Sequence, residues 1–222
     1  METAANNEFI HLQTEETPLK KIRGSHEQRR TATYNKVISA GISILYNHGY
    51  QATTTTSVAE KAGVSRGALL HQFPTKTELI VGIAEYLVGQ YAEARNDVFT
   101  EALSPLERFK RLTDLLWEKS KQENTIALIE IRLASRSDPE LALGLKSRVN
   151  EAVRSQMDDA CELAKLAGIE DQDAVKTLST LTTASVWGLA ILRLESSYQE
   201  DIEDAFELMK KNRDQLIEKL IK

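Results

Sequence analysis

The stretch AGVSRGALLHQF, from Ala62 to Phe73, places a Gly-Val-Ser turn directly before a short segment with helical spacing. Ser65 can cap a helix running from Arg66 to Gln72, because a serine side chain accepts a hydrogen bond from a first-turn amide. Gly67 stands at the start of this helix, although glycine costs about 1 kcal/mol relative to alanine in a helix interior. A glycine there lets a partner outside the helix approach the helix backbone closely. DNA is one partner that would need such access.

A second short helix precedes this turn, with Thr54 as its cap and Gly63 as its end. Two short helices joined by a glycine-containing turn are typical of a helix-turn-helix, whose second helix enters the major groove of DNA. Gly67 and Ala68 keep the start of that helix slender. Arg66 offers a guanidinium fork suited to a guanine edge or a phosphate.

Helical periodicity continues from Gln28 almost to the end of the chain, and no alternating strand pattern persists, which predicts an all-α fold. The predicted helices span 27–48, 55–63, 66–72, 76–98, 105–122, 123–137, 139–167, 172–195 and 198–221. We expect a disordered tail over 1–25, a three-helix DNA-binding domain over 26–75 and a larger effector-binding and dimerisation domain over 76–222.

The charge is distributed unevenly along the chain. Residues 20–76 carry nine Lys or Arg against two Glu, whereas residues 77–222 carry 19 basic and 27 acidic residues. A basic unit on an acidic body favours nucleic-acid binding by the basic unit, and chance clustering on a solvated surface is the alternative. A basic cluster near the N-terminus is either a minor-groove arm or an ordinary flexible tail: Lys20, Lys21 and Arg23.

The bulk composition excludes several classes of protein. The single cysteine, Cys161, cannot form an internal disulfide, which favours a reducing, cytoplasmic setting. The N-terminal sequence is not typical of a signal peptide. An uncharged, largely apolar run, 177–192, is interrupted by polar residues and is interpreted as a buried helix rather than a membrane span. The sequence contains no phosphate-binding glycine loop, metal-ligand spacing or nucleophile elbow, so we expect no enzyme activity, cofactor or metal.

The run over about residues 30–86 resembles the tetracycline-repressor-like (TetR) transcriptional regulators. The resemblance lies in HGY at 48–50, ATT at 52–54, VAEKAGVS at 58–65, GAL at 67–69, His71, Phe73 and the KxEL pattern at 76–79. It implies a homodimeric DNA-binding regulator of palindromic operators, released by a small molecule. The implied DNA contacts are Thr54, Ser65, Arg66, Gly67, Ala68, His71 and Lys76, with Phe73 as a core anchor.

Two positions depart from the family pattern. Leu70 stands where the family commonly has a tyrosine, so a phosphate contact is lost, although Leu70 can still touch a thymine methyl group. Ser57 stands where an acidic residue would close a capping box, which predicts a weaker box. Taken singly, Thr54 is also explained as a helix cap, His71 as a packed surface residue, and Arg66 and Lys76 as solvated charges.

The last two predicted helices are candidates for the dimer interface. Small and apolar residues recur at helical spacing along them, and four such helices from two chains can form a bundle. The expected interface residues are Leu181, Ala184, Gly188, Phe206, Met209 and Leu216. The alternative is that both helices close the core of one chain.

The middle helices are expected to hold an effector. Glu130 projects among apolar neighbours, where an unpaired carboxylate is costly, so it binds a cationic or hydrogen-bonding ligand or else pairs with Arg132, Arg136 or Arg193. Four aromatic residues line a cavity or belong to plain core: Tyr91, Phe109, Trp117 and Trp187. The main alternative function is a ligand-sensing or partner-binding protein in which DNA binding is secondary.

Overall fold

The computed structural model describes residues 26–100 and 102–221, so the expected tail over 1–25 and its basic cluster lie outside the described residues. Ten α-helices, one 3-10 turn and no strand are found within these ranges. The helices are α1 (His26–Ala52), α2 (Thr55–Ala62), α3 (Arg66–Gln72), α4 (Lys76–Thr100), α5 (Pro105–Ser120), α6 (Glu123–Ser135), α7 (Pro139–Arg148), α8 (Asn150–Leu166), α9 (Gln172–Leu192) and α10 (Ile202–Leu220).

The predicted bounds of the first helices are confirmed by local geometry. Gly49 breaks α1 with φ of +75° and ψ of −179°, a conformation available to glycine and strained for other residues. Gly63 ends α2 in the left-handed region at φ +63°. Thr75 starts α4, because its Oγ1 accepts a hydrogen bond from the Glu78 amide at 3.1 Å.

Two predicted helix bounds in the second half are wrong. The helix predicted over 139–167 is divided at Val149 into α7 and α8. The division has a packing cause: α7 lies on α4, where a Cβ on Gly144 would come within 2.8 Å of Val81 Cγ2, whereas α8 packs on α5 and α9. The last helix begins at Ile202 rather than at 198, after a 3-10 turn over Ser196–Tyr198.

The hydrophobic core has two main parts. The first core joins α1, α2 and α3 to α4, α6 and α7, with Val37, Leu69, Ile80 and Ile131 among its members. The second core joins the end of α4 to α5, α8, α9 and α10. The first core is therefore continuous from the N-terminal helices into α6 and α7.

The interpretation of 177–192 as a buried helix is also wrong. One face of α9 is buried, through Val175, Leu178, Thr182, Val186 and Ala190, and the opposite face is open. By length and composition α9 alone among the described helices could cross a membrane, and 28 % of its most apolar window is buried.

Candidate DNA interface, cavity and dimer face

The short helix α3 is held in place by its buried side and by contacts at both of its ends. Ser65 Oγ accepts a hydrogen bond from the Ala68 amide at 3.1 Å, as the sequence predicts for the cap. Leu69 is fully buried, and Phe73 at the C-terminal end packs against Tyr34 with ring centroids 5.6 Å apart. The Gln72 side-chain amide also donates to the Arg30 carbonyl at 3.3 Å. The structure thus gives α3 one buried side and one defined orientation.

The outer side of α3 is open to solvent. Ser65, Arg66, Gly67, Ala68 and His71 are all exposed. A Cβ on Gly67 would meet no other group within 4 Å, and the positive-φ glycines of the described chain are only Gly49, Gly63 and Gly168. Neither packing nor backbone conformation within the protomer therefore requires glycine at 67.

The N-terminal cap of α2 is formed by Thr54 and Ser57. Thr54 Oγ1 accepts from the Ser57 amide at 3.0 Å, and Ser57 Oγ accepts from the Thr54 amide at 3.0 Å. The reciprocal capping box therefore forms with serine in place of the acidic residue. Thr54 remains exposed, so its side chain both caps α2 and faces outward.

Two other predicted DNA contacts also have partners inside the protein. Leu70 is half-buried and packs on the first core. Lys76 Nζ donates to the Tyr50 carbonyl at 2.8 Å and lies 3.9 Å from the centre of the Tyr50 ring. Burial lowers the pKa of Lys76. Direct DNA contact by these two residues remains a prediction.

A cavity of about 370 Å³ lies among α4, α5, α6, α8, α9 and α10. Tyr91, Phe109 and Trp187 line it, which agrees with their predicted place. Burial raises the pKa of Tyr91 and keeps its hydroxyl neutral. The size falls within the range of small-molecule sites.

Two residues predicted for the cavity lie elsewhere. Trp117 stacks on Phe206 at a centroid distance of 4.2 Å, and its Nε1 donates to Glu203 Oε2 at 3.2 Å. Glu130 lies on the α1 side of α6, where its carboxylate comes within 3.4 Å of the position of a Cβ on Gly49. The helical stripe predicted apolar surroundings for Glu130 but could not show which neighbouring helix it faces.

Four cationic side chains that the sequence did not single out as cavity residues line this space: Arg95, Lys119, Arg132 and Arg213. Arg95 and Arg213 are 6 % and 5 % exposed. Nothing local in the sequence distinguishes them from surface arginines, because their burial comes from packing between distant helices.

The open face of α9 and α10 carries a set of apolar residues. Leu181, Ala184 and Gly188 are exposed on α9, and Leu216 is exposed on α10, as the predicted interface requires. The structure adds Ile191 and Leu208, which are 44 % and 61 % exposed. We call these six residues the exposed apolar set of α9 and α10.

Two residues predicted for the interface do not belong to this exposed set. Phe206 is 2 % exposed and stacks on Trp117, so it belongs to the core of its own protomer. Met209 is half-buried and packs on the same cluster. Both were assigned to the interface because helical spacing gives the stripes of a helix but not which stripe faces inward.

A capped, outward-facing helix-turn-helix on an all-helical body defines the chain as a DNA-binding transcriptional regulator. Residues 37–83 match the sequence profile of the family described as bacterial regulatory proteins, tetR family. The N-terminal helices of the chain are therefore similar to those of the TetR family.

The relatives extend the likeness over most of the chain. The HTH-type transcriptional regulator CymR of Pseudomonas putida is 28 % identical over 181 residues, which cover 82 % of this chain and 87 % of the relative. A TetR transcription regulator from Haloarcula marismortui has the same fold, with a TM-score of 0.68, 17 % identity and coverage of 86 % of this chain and all of that one. A TetR-family regulator from Rhodococcus sp. gives a TM-score of 0.66 at 22 % identity, over 84 % and 99 % of the two chains.

Proposed function

We propose that the protein is a cytoplasmic homodimeric repressor, which binds a palindromic operator through α3 and leaves it when a small molecule fills the cavity. The observation that carries the DNA-binding role is the open tip of α3. The fold has no internal use for glycine at 67, because its Cβ position is empty, whereas a base edge or phosphate needs close access to that backbone.

The open side of α3 supports a division of roles between base and backbone contacts. Arg66 is exposed at the first position of α3 and suits a guanine edge. Thr54 and His71 are also exposed, and their side chains suit phosphate oxygens. Two copies of α3 in a dimer then read two half-sites about one turn of DNA apart.

The position of α6 supports release by a ligand. Ala127 and Ile131 on one side of α6 are buried in the first core with α1. Leu128 and Arg132 on its other side line the cavity. A ligand that shifts α6 therefore also moves α1. This movement changes the distance between the two copies of α3 in the dimer.

The substitution Gly67→Leu tests the proposal, with Gly89→Leu as the matched control. Both glycines lie in helices, and a Cβ on either meets nothing within 4 Å. We expect both variants to melt no lower than the wild type. In gel shifts with the DNA upstream of the gene, Gly67→Leu should lose at least tenfold in affinity, whereas Gly89→Leu should bind as the wild type does.

Equal retention of the upstream DNA by the wild type and Gly67→Leu would overturn the assignment of α3. Retention that is indifferent to DNA sequence would instead favour a sensing or partner-binding protein in which DNA binding is secondary. Specific binding should weaken steeply with added salt, because phosphate contacts release counterions.

A further inference from the structure

We propose that the cavity binds an organic carboxylate with an apolar body, and that Arg132 holds the carboxylate group. This inference rests on the ligand-released function proposed above and specifies the chemical class of the ligand. Glu130, which the sequence offered as a ligand contact or an ion-pair partner, does not line the cavity.

The charges around the cavity are all of one sign. Arg95, Lys119, Arg132 and Arg213 line it, and no aspartate or glutamate does so among the residues described. Buried cations are costly unless an anion or a set of hydrogen-bond acceptors surrounds them. The lining therefore disfavours a cationic ligand and leaves room for a negative group.

Two of the four cations already have acceptors within the protein. Arg95 Nη2 donates to the Gln156 carbonyl at 2.7 Å. Arg213 donates from Nη2 to the Phe109 carbonyl at 2.9 Å and from Nη1 to Asp214 Oδ1 at 3.0 Å. These contacts account for the burial of both arginines without a ligand.

Arg132 differs from these two. Its guanidinium carbon lies 5.4 Å from the centre of the Trp187 ring, and its Nε is buried with no hydrogen-bond partner in the described part of the chain. Burial lowers the pKa of Arg132, and no neighbouring carboxylate opposes that effect. An arginine that contacts an aromatic ring through its face can still offer the edge of its fork to a bidentate carboxylate.

The rest of the lining suits an apolar ligand body. Leucine, valine and methionine side chains make up much of the wall: Leu87, Val88, Leu112, Leu116, Leu128 and Met157. A volume of about 370 Å³ is enough for a medium-length acyl chain or an aryl group. The combination of Arg132, whose Nε has no partner among the described residues, and an apolar wall matches an amphipathic monocarboxylate.

The test uses the full-length protein and three series of probes in calorimetric titrations. The first series contains sodium hexanoate, octanoate, decanoate and 4-phenylbutanoate, and the other two contain the corresponding amides and amines. We expect at least one carboxylate to bind tenfold or more tightly than its amide, and its amine to bind more weakly still. Equal binding of amide and carboxylate, or no binding of any carboxylate at millimolar concentration, would overturn the inference.

Variants locate the charge contact. Arg132→Gln should weaken the best carboxylate by roughly tenfold to a hundredfold, as expected for a lost hydrogen bond to a charged group, and leave its amide unchanged. Arg136→Gln is the matched control, since Arg136 is exposed one turn further along the chain. Equal loss in the two variants, or no loss in Arg132→Gln, contradicts the role of Arg132.

Gel shifts separate this inference from the proposed function. If the protein retains specific DNA and no carboxylate binds, the ligand class is wrong and the regulator stands. If a carboxylate binds through Arg132 and the DNA stays bound, the ligand class stands and ligand-driven release is wrong.

Discussion

Tyr50 donates a hydrogen bond from its Oη to Asp138 Oδ2 over 2.6 Å, and this contact joins the segment before α2 to the start of α7. Asp138 also caps α7, because its Oδ1 accepts from the Leu141 amide at 3.0 Å. Lys76 at the start of α4 donates to the Tyr50 carbonyl. The DNA-binding helices are thus tied to two helices of the body at a single tyrosine.

Removing the Tyr50 hydroxyl should weaken this junction. We expect Tyr50→Phe to lower the free energy of unfolding by about 1–2 kcal/mol, because a partly buried charged acceptor loses its donor. Urea unfolding followed by circular dichroism measures the change. Tyr198→Phe is the control, since Tyr198 is 43 % exposed on the 3-10 turn and should change stability little. Equal stability of Tyr50→Phe and the wild type would contradict the structural role of the contact.

The effect of Tyr50→Phe should depend on pH. The hydrogen bond from Tyr50 lowers the pKa of Asp138 below its ordinary value of 3.8, so folding favours the ionised carboxylate. The stabilisation is therefore complete well above pH 3.8 and is lost as the pH falls through the lower pKa of the folded state. We expect the difference in unfolding free energy between the wild type and Tyr50→Phe to be constant from pH 7 to 5 and to shrink in acid. A difference that grows in acid would show that another group dominates.

Gly82 on α4 contacts Phe73 at the end of α3 and so helps to set the position of α3. A Cβ on Gly82 would come within 2.6 Å of Phe73 Cε1, and the Phe73 ring is buried, so it has little room to move. We expect Gly82→Ala to destabilise the protein by about 1–3 kcal/mol through overpacking and to weaken binding to upstream DNA. Gly89→Ala on the same helix meets nothing within 4 Å and should stabilise the protein by about 1 kcal/mol. Thermal melts and gel shifts of both variants check this, and a melt of Gly82→Ala at or above that of the wild type would refute it.

The DNA-binding helices were predictable from the sequence because their limits are set locally. Thr54 and Ser65 cap α2 and α3 with hydrogen bonds that span three residues, and Gly63 ends α2 through its own backbone conformation. Such signals lie within one turn of helix and need no knowledge of the rest of the chain.

The remaining features depend on contacts between residues far apart in the chain. Tyr50 and Asp138 are separated by 88 positions, and the break at Val149 follows from the contact of Gly144 with Val81. The surroundings of Glu130 and Arg132 could not be predicted for the same reason, because the direction in which each side chain points is decided by the helices packed on either side of α6.

The last prediction concerns the exposed apolar set of α9 and α10 and the association of two chains through it. Leu208 is 61 % exposed on α10, and in a two-fold interface each substitution is present twice, once from each chain. We expect Leu208→Glu to convert the dimer to a monomer at micromolar concentration, measured by size-exclusion chromatography with light scattering. Leu143→Glu is the control, because Leu143 is 68 % exposed on a different helix, α7, and should leave the dimer intact. If Leu208→Glu stays dimeric, the two chains associate through another surface, and the spacing of their recognition helices is set there instead.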